Sequence, residues 1–214
     1  MQTISIWLVA ALLYGSFWVW YSGWRPPLTP TEIDGFMARI EHIEQYKEDA
    51  AIKARLRGFL EKDDGGEFFM VNLIRMRDKA LPIAGARPDE TPRQVLDHYS
   101  TKFMPTILAH AGWLVTGGRA AASGDLEQWG VKPDADWQMF GLVRYRSRRD
   151  MLEVISKPEF DSIHPFKFAS MEATRAFPVA PAILTLGPKV VVGLVVLVLA
   201  LSAQLLAGYL MGRS

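Results

Sequence analysis

The 214 residues contain no cysteine, which excludes disulfides, thiolate metal sites and a cysteine nucleophile. That absence fits either side of a membrane. Net charge is also nearly absent: 24 Lys and Arg against 23 Asp and Glu leave +1, so the overall balance gives nucleic-acid binding no support. Histidines number four, at His42, His98, His110 and His164. His98 and His110 fall on one predicted helix, but twelve residues at about 100° each leave them about 120° apart. No metal site is expected from them. There is no GxGxxG, P-loop, HExxH or GxSxG, and no cofactor is expected.

Charge is missing altogether from both ends of the chain. No side chain is charged before Arg25, and residues 4–21 are an apolar run close to the roughly 20 residues that a membrane-crossing helix needs. Trp18, Trp20, Tyr21 and Trp24 cluster at its far end, where indole and phenol groups favour the headgroup region. A cleaved signal peptide is the rival reading, but a basic n-region and a small-x-small site are lacking. Residues 190–211 form a second uncharged run, bracketed by Lys189 and Arg213. Ala203, Ala207 and Gln204 suit close helix packing in lipid. Two spans make this an integral membrane protein with the lipid bilayer as partner. Arg25, Arg39, Arg175 and Lys189 flank the spans on the domain side, which places the domain in the cytoplasm of a bacterial inner-membrane protein.

Between the spans, Thr31 is the expected N-cap of a helix with Asp34 three residues on. A second helix over 50–61 stops at "DDGG", and the two make an amphipathic arm. "EFFMVNLIRMR" reads as a strand that is apolar on both faces. "TPRQVLDHYSTKFMPTILAHAG" reads as a helix with Val95, Tyr99, Phe103 and Ile107 on one stripe and a kink at Pro105. "WLVTGGRAAA" is a strand with a bulge expected at Gly117-Gly118, and "DWQMFGLVRYRS" is a third. Ser147 caps "RRDMLEVIS", a helical stretch follows around His164, and "TRAFPVAPAI" is an edge strand because of its prolines. The order β-α-β-β-α-β gives an α+β fold of split βαβ, ferredoxin-like type. The expected parts are 1–24, a span; 25–64, the arm; 65–186, the α+β domain; and 187–214, a span.

"FFMVNLIRMRD", "YSTKFMPTILAHAGW" and "VRYRSRRDMLEVISKPEFDSIHPFKFASMEATR" together resemble a largely uncharacterised group of small bacterial dimeric α/β-barrel domains near the antibiotic-biosynthesis monooxygenases. The resemblance covers roughly 68–177. It rests on Met70-Val71-Asn72-Leu73, Met104-Pro105 and Lys157-Pro158-Glu159-Phe160 followed by His164-Pro165. It implies the ferredoxin-like fold and a homodimer, but no defined reaction. The spans and the arm are departures from the group. The residues support a partner independently, because strand one would leave a large apolar patch on the sheet face its own helices do not cover.

Asn72 is the sharpest polar anomaly, lying on the strand face of Met70 and Ile74. It ties down a neighbouring loop or fixes a ligand. Pro165 suits the first turn of a helix, which makes His164 its expected N-cap, neutral in the field of the helix end. A ligand role for His164, with Asn72 and Tyr99 in a pocket between sheet and helices, is the alternative. The cluster Arg144, Arg146, Arg148 and Arg149 is expected at the membrane surface, facing anionic headgroups. Two functions follow: an accessory or assembly subunit of a membrane complex, or a membrane-tethered small-molecule-binding protein or oxygenase-like enzyme.

Overall fold

The computed structural model of the chain describes residues 2–23, 25–41, 49–127, 129, 136–181 and 187–212. Trp24, His42 and Arg213 lie outside them. The chain divides into two compact units, Met1–Trp24 with Pro181–Ser214, and Arg25–Ala180.

The first unit holds α1 (Gln2–Ser22) and α7 (Pro188–Met211), both long and apolar enough to cross a membrane. The helices meet along stripes at helical spacing: Ala10, Tyr14, Phe17 and Tyr21 on α1, Gly193, Ala200, Gln204 and Ala207 on α7 are the less exposed positions. Trp7 Nε1 donates to Gln204 Oε1 at 2.8 Å, and Tyr14 lies where a Cβ on Gly193 would sit, 3.3 Å from its ring. The expected small-residue face is therefore rotated. Ala207 is on it, whereas Ala203 is exposed, because Gly193 and Ala200 bring the backbones together. Lys189 Nζ stands over the rings of Trp18 and Tyr21, at 4.6 and 5.3 Å.

The second unit is α+β. In chain order it has α2 (Pro30–Ile40), α3 (Ala50–Glu61), β1 (Phe68–Met76), α4 (Pro92–Ala109), β2 (Trp113–Arg119), β3 (Met139–Tyr145), α5 (Arg148–Ile155), α6 (Pro158–Ser170) and β4 (Met171–Val179). The strands form one antiparallel sheet in the order β2-β3-β1-β4. β4 pairs only with β1, so its Pro178 sits at an edge, where a missing donor is tolerated.

Several element ends differ from the sequence reading for local reasons. The N-cap of α2 is Thr29, not Thr31: Pro30 occupies the first turn, and Glu32 rather than Asp34 completes the capping box. The irregularity in β2 falls between Leu114 and Thr116, not at Gly117-Gly118. Those glycines instead keep the strands close: a Cβ on Gly117 would lie 3.1 Å from the Phe140 carbonyl oxygen. α6 begins at Pro158, so His164 is inside the helix rather than at its N-cap. Lys157 takes the cap position and Pro165 is an internal proline.

The described residues among 25–64 contribute directly to the core of this unit. Leu28, Ile33, Phe36, Met37, Ile40 and Leu60 are buried in one cluster with Phe68, Phe103, Tyr145 and Leu152. Phe59 meets Phe68 edge-on at 5.1 Å, and Phe68 stacks on Tyr145 at 5.2 Å. Such pairs add about 1 kcal/mol each beyond area burial.

The four arginines are engaged within the unit. Arg144 is 1% exposed, with Nε 2.5 Å from Glu67, Nη1 2.5 Å from the Ala111 carbonyl, and its guanidinium 4.8 Å from the Trp113 ring centre. Arg146 grips Asp150 through two nitrogens, at 2.9 and 2.5 Å. Burial pushes the Asp150 carboxyl up, but Arg146 and Ser147 hold it below the usual range. Arg148 donates to the Lys62 carbonyl and lies 3.4 Å from Asp63, and Arg149 donates to Glu32 and to Pro26. Arg149 first, then Thr29, lowers the Glu32 carboxyl to about 2. With Arg25–Glu153 at 2.6 Å, these pairs clamp 25–64 onto α5. Guanidiniums engaged in this way face protein carboxylates and carbonyls.

Candidate functional site

The face of the sheet that carries Met70, Asn72 and Ile74 also carries Val143, Gly141 and Met139 by cross-strand register. Between this face and the helices lies a cavity of about 1070 Å³, at the upper end of what small-molecule sites occupy. Its walls are mainly apolar, including Leu56, Met70, Phe103, Met104, Met151 and Phe160. Phe103, Met151 and Phe160 are buried, while Leu114 and Phe168 are exposed at 47% and 43% and mark where the cavity opens.

Asn72, Tyr99 and His164, far apart in sequence, all line this one cavity. Their placement has separate local causes. Asn72 points inward because of its parity on β1. Its amide nitrogen donates to the carbonyls of Met70 at 3.1 Å and Gly141 at 3.4 Å, so it braces the floor of the cavity. Asn72→Leu is expected to cost about 1 kcal/mol of stability, the worth of an ordinary hydrogen bond, measured by denaturant unfolding of the full chain in detergent. Unchanged stability with lost ligand binding would reassign Asn72 to the ligand.

Tyr99 stands on the inner stripe of α4 and stacks on Phe103, with ring centres 4.9 Å apart. His164 is 7% exposed, stacked on Phe160 at 4.6 Å and edge-on to Phe168 at 4.8 Å. Burial, then the charge of Lys167, lowers its imidazole to about 4, so it is neutral at pH 7. The neutrality expected at a helix end has this different cause.

Lys167 was missed by sequence reasoning. It follows His164 by three residues, which puts both on one face of α6, and it lines the cavity half-buried. Removal from water lowers its amine below the usual lysine range. The signal was present in "HPFK", but only a continuous helix through Pro165 gives that spacing its meaning. Among the described residues, neither the His164 ring nitrogens nor the Lys167 amine has a hydrogen-bond partner.

A second cluster lies elsewhere. His110 Nδ1 is 3.5 Å from both Asp150 and Glu153, and these three groups lie within 4.8 Å of one another. Arg146 already neutralises Asp150, Arg25 neutralises Glu153, and Lys157 Nζ reaches His110 Nε2 at 3.2 Å. Three cations around two carboxylates leave a metal ion little electrostatic advantage. The cluster is an ionic tie between α4, α5 and the start of α6.

The fold and cavity define an α+β domain with a ligand-sized space between an antiparallel sheet and its helices, in a chain with two apolar helices. Comparison with known proteins adds fold information only. No protein-family model matches the chain, and no curated protein matches it. Among solved structures, the chain is similar to the RPA0582 protein of Rhodopseudomonas palustris, a protein of unknown function. One crystal structure of it is 24% identical with a TM-score of 0.49, over 67% of this chain and 98% of that one. The crystal structure of the methylated RPA0582 protein gives 22% identity and a TM-score of 0.51, over 67% and 97%.

Proposed function

We propose that the chain is a membrane-tethered binding protein for an apolar small molecule, held in the cavity between sheet and helices. The observation that carries this reading is the cavity itself: about 1070 Å³, mainly apolar, with a few converging polar groups at Asn72, Tyr99, His164 and Lys167. Small-molecule sites have this composition. The domain is read as ferredoxin-like, of the dimeric α/β-barrel kind, which the antiparallel order β2-β3-β1-β4 with its helical crossovers supports. The two apolar helices are read as spans in a bacterial inner membrane, with the domain on the cytoplasmic side.

Native mass spectrometry of the full chain from mild detergent tests the reading. A bound organic molecule is expected, and Gly141→Leu should expel it. Gly141 lies on the cavity floor, where an added Cβ meets only the Leu114 side chain, at 3.5 Å. Absence of any bound molecule, together with a stoichiometric protein partner, would favour an accessory subunit of a membrane complex. That second reading rests on the other sheet face, where Phe140 and Phe177 are 44% and 41% exposed beside half-buried Val71 and Leu73.

A further inference from the structure

We infer that the molecule taken by the cavity is an apolar carboxylic acid, its carboxylate held by Lys167 with His164 as a second donor. The inference rests on the cavity reading and deepens it. Its first support is the charge of the lining. Arg55, Arg93, Arg119, Lys167 and Arg175 line the cavity, and Asp97 is the one carboxylate among its described lining residues. Asp97 is itself paired with Arg93, at 3.7 Å. The four arginines are exposed, whereas Lys167 is half-buried and lies one helical turn from buried His164.

The second support is that both donors are open to the cavity. No hydrogen bond ties the Lys167 or His164 side chain to a described residue, and neither has a fully buried unpartnered atom, so both face the space they line. A ligand that fills this space removes their water, and buried polar groups are normally hydrogen-bonded. A neutral imidazole offers one N–H and an ammonium offers three. These donors match the two oxygens of a carboxylate, whereas a neutral apolar ligand would leave them orphaned. Phe160 and Phe168 flank His164, and Tyr99 and Phe103 pack against Phe160 with ring centres 6.4 and 6.2 Å away, so these rings form one aromatic wall for an aromatic or acyl body. Asn72 has spent its amide donors on the sheet and is not part of the clamp.

The test uses the full chain in nanodiscs of zwitterionic lipid, titrated calorimetrically with 2-naphthoate and with uncharged 2-naphthamide, empty nanodiscs subtracted. The acid should bind at least about tenfold more tightly than the amide, as expected for a hydrogen bond to a charged group. Lys167→Met should abolish that preference. His164→Gln should reduce it by a few-fold. Circular dichroism and thermal unfolding report whether each variant is folded, and Lys167→Gln serves if the Met variant is not. Equal binding of acid and amide by the parent overturns the carboxylate assignment, as does a preference that survives both lysine substitutions. The cavity reading then still stands if Gly141→Leu removes the binding. Failure of the parent to bind either probe overturns both.

Discussion

Arg144→Met should destabilise the chain by about 3–5 kcal/mol, the usual consequence of removing one member of a buried ion pair. The reason is what it leaves behind. Glu67 loses its guanidinium partner at 2.5 Å, and the Ala111 carbonyl loses its donor. Ala111 has φ 54°, in the left-handed region where an alanine is strained, and the turn that holds it carries α4 into β2. Gly112 follows with no room for a side chain, since a Cβ there would lie 2.7 Å from the Arg144 carbonyl oxygen. The arginine thus stitches this turn to β3 and to the entry of β1. Thermal and denaturant unfolding of the full chain in detergent should show the loss. The paired change Arg144→Met with Glu67→Leu should recover a large part of it, because no charge is then left unpaired. A loss below about 1 kcal/mol, typical of an exposed pair, would show that the site is open to water.

The second large effect concerns pH. An imidazole with its ordinary value of 6.5 in the unfolded chain, but lowered to about 4 in the folded one, binds a proton more readily when unfolded. Stability contributed by neutral His164 is therefore complete above pH 6.5 and is lost as pH falls toward 4. The loss is on the order of 3 kcal/mol, at about 1.4 kcal/mol per unit. Glu32 and Asp150, whose carboxyls are also lowered, lose their contribution in the same pH sense but only as pH falls below their ordinary values of 4.5 and 3.8, so they leave the upper part of the window to histidine. His164→Phe should flatten the unfolding free energy between pH 6.5 and 4.5 relative to the parent. An identical acid slope in the variant would place the titrating group elsewhere.

Much of the secondary structure was legible because it is local. A short apolar run bounded by glycine and charge marks β1, the apolar stripe of Val95, Tyr99, Phe103 and Ile107 marks α4, and Ser147 marks α5 through its bond to the Asp150 amide. The start of α6 was less legible because two prolines, Pro158 and Pro165, each satisfy the rule for a first helical turn. Pro158 won, and the choice moved His164 from a helix end to a cavity wall. The arginine cluster was visible but its use was not. From "RYRSRR" alone a solvated basic end facing lipid is as good a reading as any, since the partners Glu67, Asp63 and Glu32 lie between 77 and 117 residues away.

What the sequence determined by itself is therefore what depends on neighbours in the chain. It marks two uncharged runs long enough to span a bilayer, because length and absence of charge are additive along the chain. It also marks the α+β alternation and the face that Asn72 shares with Met70 and Ile74, because side chains on a strand alternate with period two. Only the tertiary structure decided that 25–64 completes the core, that the arginines clamp it there, and that Asn72, Tyr99, His164 and Lys167 border one cavity. Each of those outcomes depends on which distant carboxylate or helix face reaches which residue. A guanidinium goes to whichever partner the packing desolvates with it, and a cavity exists only where two packed layers fail to fill the space between them.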